Sequence, residues 1–219
     1  QYLIDGNARM RERPIGDLLD ALNKLVDKDQ PEITDPWTLV PDYSYICLPV
    51  LMTAYGLYGG KTRVAGSISS QYLSALLMVA PYAQTPVEIE LNTELNSKPY
   101  VDMTLAIMHD FGVEIQREGY SRFMIHPAYY SSPRTYEIES DASAASYFFA
   151  APAICGGTIR VENISRNTKQ GDISFLDVLK QMGCKIREGE NFIEVTGSKS
   201  LAGVDVDMRD IPDTAQTLA

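Results

Sequence analysis

GSISSQYLSALLMVAP, residues Gly66 to Pro81, changes character at its centre. Its first half packs Ser67, Ser69, Ser70 and Gln71 into five positions. Its second half places Leu73, Leu76, Leu77 and Ala80 at i, i+3, i+4 and i+7, the apolar stripe of an amphipathic helix. The serines therefore precede or open that helix, where a hydroxyl satisfies backbone N–H groups that lack a partner within the helix. Free N–H groups and the positive end of the helix dipole also suit a phosphate or carboxylate. The pattern alone leaves two readings open, a simple serine cap and an anion site.

Composition narrows the function classes. The chain has 219 residues, enough for one large domain or two small ones, and is 45% hydrophobic and 22% charged, so a core of ordinary size can form. The net charge of −10 disfavours a nucleic-acid partner, which would require a basic face. An anionic ligand must then be held by a local cluster. Cys47, Cys155 and Cys184 are odd in number and widely spaced, which fits a reducing, cytoplasmic compartment and no disulfide framework. His109 and His126 are isolated and no CxxC occurs, so no structural metal is expected. No apolar run reaches the ~20 residues of a membrane span. The chain begins at Gln1 and stops within an expected helix at Ala219, which reads as an excerpt of something longer.

Working outward, Tyr2–Ile4 and Leu48–Met52 read as short strands, and Thr62–Ala65 as a strand entering the serine helix. Between the first two lies DGNARMRERP, Asp5 to Pro14, with a turn at Gly6-Asn7 and a dense group of arginines. Those arginines are either a solvated loop partnered by Glu12 or a cationic site. Pro14 suits the first turn of a helix carrying Leu18, Leu22 and Leu25. Residues 27–45 lack a period and are expected to be irregular. Strict alternation makes Val87–Leu91 a half-buried strand. Ser97 is expected to cap a helix that Gly112 ends. Ser140–Ser143 cap the next, over 144–151, and Gly171-Asp172 open a third that stops at Gly183. Hairpins are expected at 113–115 with 123–125 and at 184–186 with 192–195. A strand is expected at Val204–Met208, and a last helix from Ile211-Pro212-Asp213.

A repeat runs through these segments. Met108, Phe111, Gly112 and Ile115 match Leu179, Met182, Gly183 and Ile186 at one constant offset, each time as helix, glycine stop and hairpin. Ser69–Gln71, Ser97–Tyr100, Asp141–Ser143 and Asp213 all fall at helix starts. If the repeats set their helices side by side, these starts converge into an anion-binding wall.

The blocks GNARMRERPIGDLLDAL, GSISSQYLSALLMVAP, SKPYVDMTLAIM, SDASAASYFFA, QGDISFLDVLKQMG and IPDTAQTLA resemble, in that order, the 5-enolpyruvylshikimate-3-phosphate synthase family. Asp27–Tyr58 departs from the pattern. The resemblance implies an α/β (α+β) enolpyruvyl transferase-like fold of two domains built from βαβαββ units, about half covered here. Residues 1–138 would be the later part of the first substrate domain, and 139–219 the early part of the second. It also implies transfer of the enolpyruvyl group of phosphoenolpyruvate to the 5-hydroxyl of shikimate 3-phosphate, in aromatic amino acid biosynthesis. Neither cofactor nor metal would take part, and the protein would be a monomer without nucleic-acid or membrane partners. By the same resemblance, Ser69, Ser70, Gln71, Ser97, Tyr100 and Asp213 would bind shikimate 3-phosphate. Arg9 and Gln71 would bind phosphoenolpyruvate, and Asp213 would be the general base. Arg11 has no assigned part and Arg13 would be structural.

Two other readings stand beside this one. An enolpyruvyl transferase acting on UDP-N-acetylglucosamine shares the fold and the donor, but its reactive cysteine has no clear counterpart here. A non-catalytic phosphate-binding fragment is the other.

Overall fold

The protein, described from a computed structural model over residues 2–26, 46–52, 56–67 and 69–219, is a mixed α/β chain. The expected irregular stretch 27–45 lies outside the described residues. The chain divides into two compact units, residues 1–96 with 107–132, and residues 97–106 with 133–219.

In the first unit β1 (Tyr2–Ile4) pairs antiparallel with β2 (Val50–Met52), and α1 (Gly16–Asn23) lies between them in sequence. A four-stranded sheet has the order β3 (Gly60–Val64), β4 (Val87–Leu91), β6 (Arg122–Ile125), β5 (Gln116–Glu118). β3 and β4 are parallel, as the crossover through α2 (Ser70–Val79) requires. Leu73, Leu76 and Leu77 of α2 are buried, as are Val87, Ile89, Phe123 and Ile125 of the strands, so the alternation read from the sequence is the core face of the sheet. The buried Thr62 hydroxyl donates to the Ala21 carbonyl at 2.9 Å and ties β3 to α1.

The second unit holds a three-stranded antiparallel sheet in the order β7 (Thr158–Glu162), β9 (Phe192–Thr196), β8 (Lys185–Glu188). Its core joins Phe149 of α4 (Ala142–Cys155), Leu176 and Leu179 of α5 (Phe175–Gln181), and Ile193 and Val195 of β9. α6 (Ala215–Leu218) is the last element. α4 is apolar nearly all round: Phe149 is buried, while Tyr147, Phe148 and Ile154 are exposed. Among the described residues no helix is long and apolar enough to cross a membrane.

The repeat is real in three dimensions. β4, α3 (Lys98–Asp110), β5 and β6 form a strand–helix–hairpin whose sheet order, β4-β6-β5, is the order β7-β9-β8 of β7, α5, β8 and β9. Both helices stop the same way. Gly112 N–H donates to His109 and Val113 N–H to Met108; Gly183 N–H donates to Lys180 and Cys184 N–H to Leu179. Gly112 and Gly183 have φ of 83° and 103°, which only glycine adopts cheaply.

Two expected strands differ. Val113 is buried as the residue that closes the stop of α3, so β5 begins later, at Gln116. Val204, Val206 and Met208 do pack against the core of the second unit as their alternation predicts, but the segment forms no strand. Alternation predicts one-sided burial; a strand also needs a neighbour for its backbone groups.

Candidate functional site

The first unit carries the serine and arginine groups. Ser69, with extended backbone (φ −159°, ψ 120°), is the N-cap of α2, and its hydroxyl oxygen accepts from Gln71 N–H at 3.2 Å. Ser67 serves the turn instead. Its N–H donates to Thr93 Oγ1 at 3.0 Å, and its carbonyl accepts from Asn96 Nδ2 at 3.3 Å. A Cβ on Gly66 would lie 2.9 Å from the Thr93 carbonyl, so this turn fits only against a residue without a side chain. Ser70 follows half-buried at the first helical position, and Gln71 is exposed. Among the described residues neither side chain has a protein partner, so the tip of α2 carries two polar side chains available to a ligand.

The arginine segment is organised by its own turn. Asn7 accepts from Met10 N–H through both its carbonyl and its Oδ1, each at 3.0 Å. Arg11 is spent on Asp5, with Nε to Oδ1 at 2.8 Å and Nη2 to Oδ2 at 2.5 Å. That pair raises the Arg11 guanidinium and holds the Asp5 carboxyl below its ordinary value. Among the described residues Arg9 meets only Glu12, at 3.2 Å, with both side chains mostly in solvent. Such a pair contributes ~0–1 kcal/mol and yields readily to a better anion. Of these two arginines, Arg11 is the structural one and Arg9, among the described residues, the more available. Tyr72 donates to the Pro14 carbonyl at 2.6 Å, which fastens this segment to the first turn of α2.

The second unit gathers Tyr100, Asp213, Ser143 and a residue that sequence reasoning passed over, Asp172. The Tyr100 hydroxyl lies 3.0 Å from Asp172 Oδ1 and 3.1 Å from Oδ2. The Ser143 hydroxyl donates to Asp172 Oδ2 at 2.8 Å. These partners come from the first turns of α3 and α4. Gly171 permits the approach, since a Cβ there would lie 2.2 Å from Pro99 Cβ. Gln170 accepts from Ala142 N–H at 2.8 Å and donates to the Ser140 carbonyl at 2.7 Å, which locks α4 to the same turn. Asp141 caps α4, accepting from Ala144 N–H at 2.9 Å, so the helix starts at Ala142 and not at 144.

Burial dominates the electrostatics here. Asp172 is only 3% exposed, and burial pushes its carboxyl up. The Ser143 and Tyr100 hydroxyls oppose that rise, and the charges of Asp213 and Asp141 add to it. Tyr100 is pushed far above its ordinary value, first by burial, then by the charge and hydrogen bond of Asp172, then by Asp213. It is a proton donor across the whole working range. Asp213 itself is exposed, in the single 3-10 turn Pro212–Thr214. That turn is braced by Thr214 Oγ1 donating to Ile211 at 2.9 Å, and Thr217 Oγ1 lies 2.9 Å from Ser146 Oγ of α4. Ser97 sits with φ of 58°, a strained value for a residue with a Cβ, and its hydroxyl donates to the Arg209 carbonyl at 3.5 Å.

Of the residues expected to act, Arg9, Ser69, Ser70 and Gln71 thus belong to the first unit, and Ser97, Tyr100 and Asp213 to the second. The only sequence signal for Asp172 is its place beside Gly171 at a helix start.

Comparison with known proteins bears on this arrangement. The EPSP synthase (3-phosphoshikimate 1-carboxyvinyltransferase) family model matches residues 1–219. The chain is 47% identical over 220 residues to a 3-phosphoshikimate 1-carboxyvinyltransferase of Histophilus somni, matching all of this chain and 48% of that protein. It is 48% identical to one of Proteus mirabilis, over 99% of this chain and 48% of the relative. The fold superposes on EPSP synthase from Acinetobacter baumannii with a TM-score of 0.68 at 21% identity, covering 99% of this chain and 47% of that structure. The chain spans about half the length of the curated relatives it matches.

Proposed function

The chain belongs to the EPSP synthase family, and from that premise we propose that the protein of which it forms part transfers the enolpyruvyl group of phosphoenolpyruvate to the 5-hydroxyl of shikimate 3-phosphate. The observation that carries this reading is the tip of α2, where the Ser69 cap, the Ser70 and Gln71 side chains without a partner among the described residues and the Tyr72 tie to the arginine segment coincide. In this reading the N–H groups and hydroxyls at that tip hold the shikimate phosphate, with Ser97 adding a further hydroxyl. Arg9 leaves Glu12 for the phosphoenolpyruvate carboxylate or phosphate, which its planar fork matches in pairs. Gln71, uncharged and exposed, bonds to either substrate.

Asp213 accepts the proton of the attacking hydroxyl, and Tyr100 contacts the shikimate ring or its phosphate. The chemistry needs a proton delivered to the enol carbon, attack of the hydroxyl on the adjacent carbon, and then loss of phosphate together with a proton from the methyl group so formed, which restores the double bond. Asp213 serves the second event. Three free cysteines, Cys47, Cys155 and Cys184, support a reducing, cytoplasmic setting, and we take the working protein to be a monomer.

The test is phosphate release by the full-length protein from phosphoenolpyruvate with shikimate 3-phosphate or UDP-N-acetylglucosamine as acceptor. Turnover with the first alone supports the reading. Turnover with the second alone, or with neither, overturns it.

A further inference from the structure

Tyr100 has one phenolic proton and two acidic neighbours, Asp172 and Asp213. The geometry assigns the proton. Both oxygens of Asp172 lie within 3.1 Å of the Tyr100 hydroxyl. Asp172 is fixed from several sides: its carboxylate is buried, Ser143 donates to it at 2.8 Å, and Gly171 lets the first turn of α3 close on it. Its hydrogen-bond donors are both neutral hydroxyls, so the phenol keeps its proton and shares it with Asp172.

Asp172 thereby fixes where the phenol oxygen sits and turns its hydrogen toward the buried carboxylate. We propose that Asp172 is a positioning residue for the transfer: it anchors the Tyr100 phenol in the orientation that meets the substrate. This rests on the role given to Tyr100 above.

The test is a double-mutant cycle in the full-length protein, comparing wild type, Asp172→Asn, Tyr100→Phe and the double variant. Each is measured for kcat and KM toward shikimate 3-phosphate, for the heat of binding shikimate 3-phosphate, and for thermal unfolding. The side-chain amide of the Asp172→Asn variant can present N–H to the phenol oxygen and turn its proton away from residue 172. Asp172→Asn is therefore expected to lower kcat/KM about tenfold or more in the wild-type background. In the Tyr100→Phe background, which has no proton to misdirect, it should lower it less than about threefold.

Equal losses in both backgrounds, tracking the fall in thermal stability, would reduce Asp172 to a structural part and overturn the proposal. So would an unchanged Asp172→Asn. Should Asp172→Asn not fold, Ser143→Ala loosens the same carboxylate, and its loss, expected to be about threefold, must likewise vanish in Tyr100→Phe. A wild-type protein inactive toward shikimate 3-phosphate sinks the transferase reading instead. Binding heats across the same cycle then decide the Asp172–Tyr100 coupling separately.

Discussion

Tyr72 donates its phenolic hydrogen to the carbonyl of Pro14 at 2.6 Å, joining residues 58 positions apart. One bond thus fixes where the arginine segment ends relative to the helix whose tip Ser69 caps. Burial raises the Tyr72 phenol, with the charge of Asp17 adding to it, so the donor persists at neutral and alkaline pH.

Tyr72→Phe keeps the ring and deletes this bond. It should destabilise the protein by ~1 kcal/mol in denaturant unfolding. In the full-length protein it should also weaken phosphoenolpyruvate, by loosening the segment that carries Arg9, more than it weakens shikimate 3-phosphate. Equal changes for the two ligands would deny that link.

Ser69 and Ser70 should separate in mutagenesis. Ser69→Ala removes a helix cap and should cost ~1 kcal/mol of stability as well as ligand affinity. Ser70→Ala touches no partner among the described residues and should leave the unfolding midpoint in place while weakening shikimate 3-phosphate by ~1–3 kcal/mol. Titration calorimetry beside thermal unfolding reads both; an unchanged affinity for Ser70→Ala removes that residue from the site.

The two matched glycines predict matched but unequal penalties. Gly183→Ala places a Cβ at φ of 103° with its nearest neighbour at 3.5 Å, so it should cost ~1 kcal/mol, from backbone strain alone. Gly112→Ala meets the same strain and also the Ser131 hydroxyl at 2.5 Å, so it should cost more. Urea unfolding of the two variants orders them.

Asp172 sets a pH dependence whose sign follows from burial. Its folded carboxyl is raised above the ordinary value of 3.8, so the folded chain holds a proton that the unfolded chain has released. Its contribution to stability therefore falls as pH rises from near 3.8 through the higher folded value. Asp172→Asn removes that slope. Wild type minus variant stability should decline as pH rises above 3.8, level off beyond the raised folded value, and be flat throughout if the carboxyl is unperturbed.

What the sequence determined alone is what neighbours in the chain determine. Apolar spacing named α2 and the core face of β4, and glycine placement named the paired stops at Gly112 and Gly183. A serine or aspartate before an apolar run named the Ser69 and Asp141 caps. Each is a bond or a burial within one or two turns, so its pattern is written locally.

Only the tertiary structure decided which polar residues meet. Asp172 reaches Tyr100 across 72 positions and Ser143 across 29, and no periodicity spans such distances. It decided as well that Val113 finishes a helix, and that Val204–Met208 packs inward without a strand partner. It also decided that Arg11 is consumed by Asp5 while Arg9, among the described residues, meets only a solvent-exposed glutamate. Side-chain type sets what a residue can bond to, but the folded backbone sets which partner is within hydrogen-bond reach and shielded from water. That choice buries Asp172 as an anchor and leaves Asp213 open to solvent.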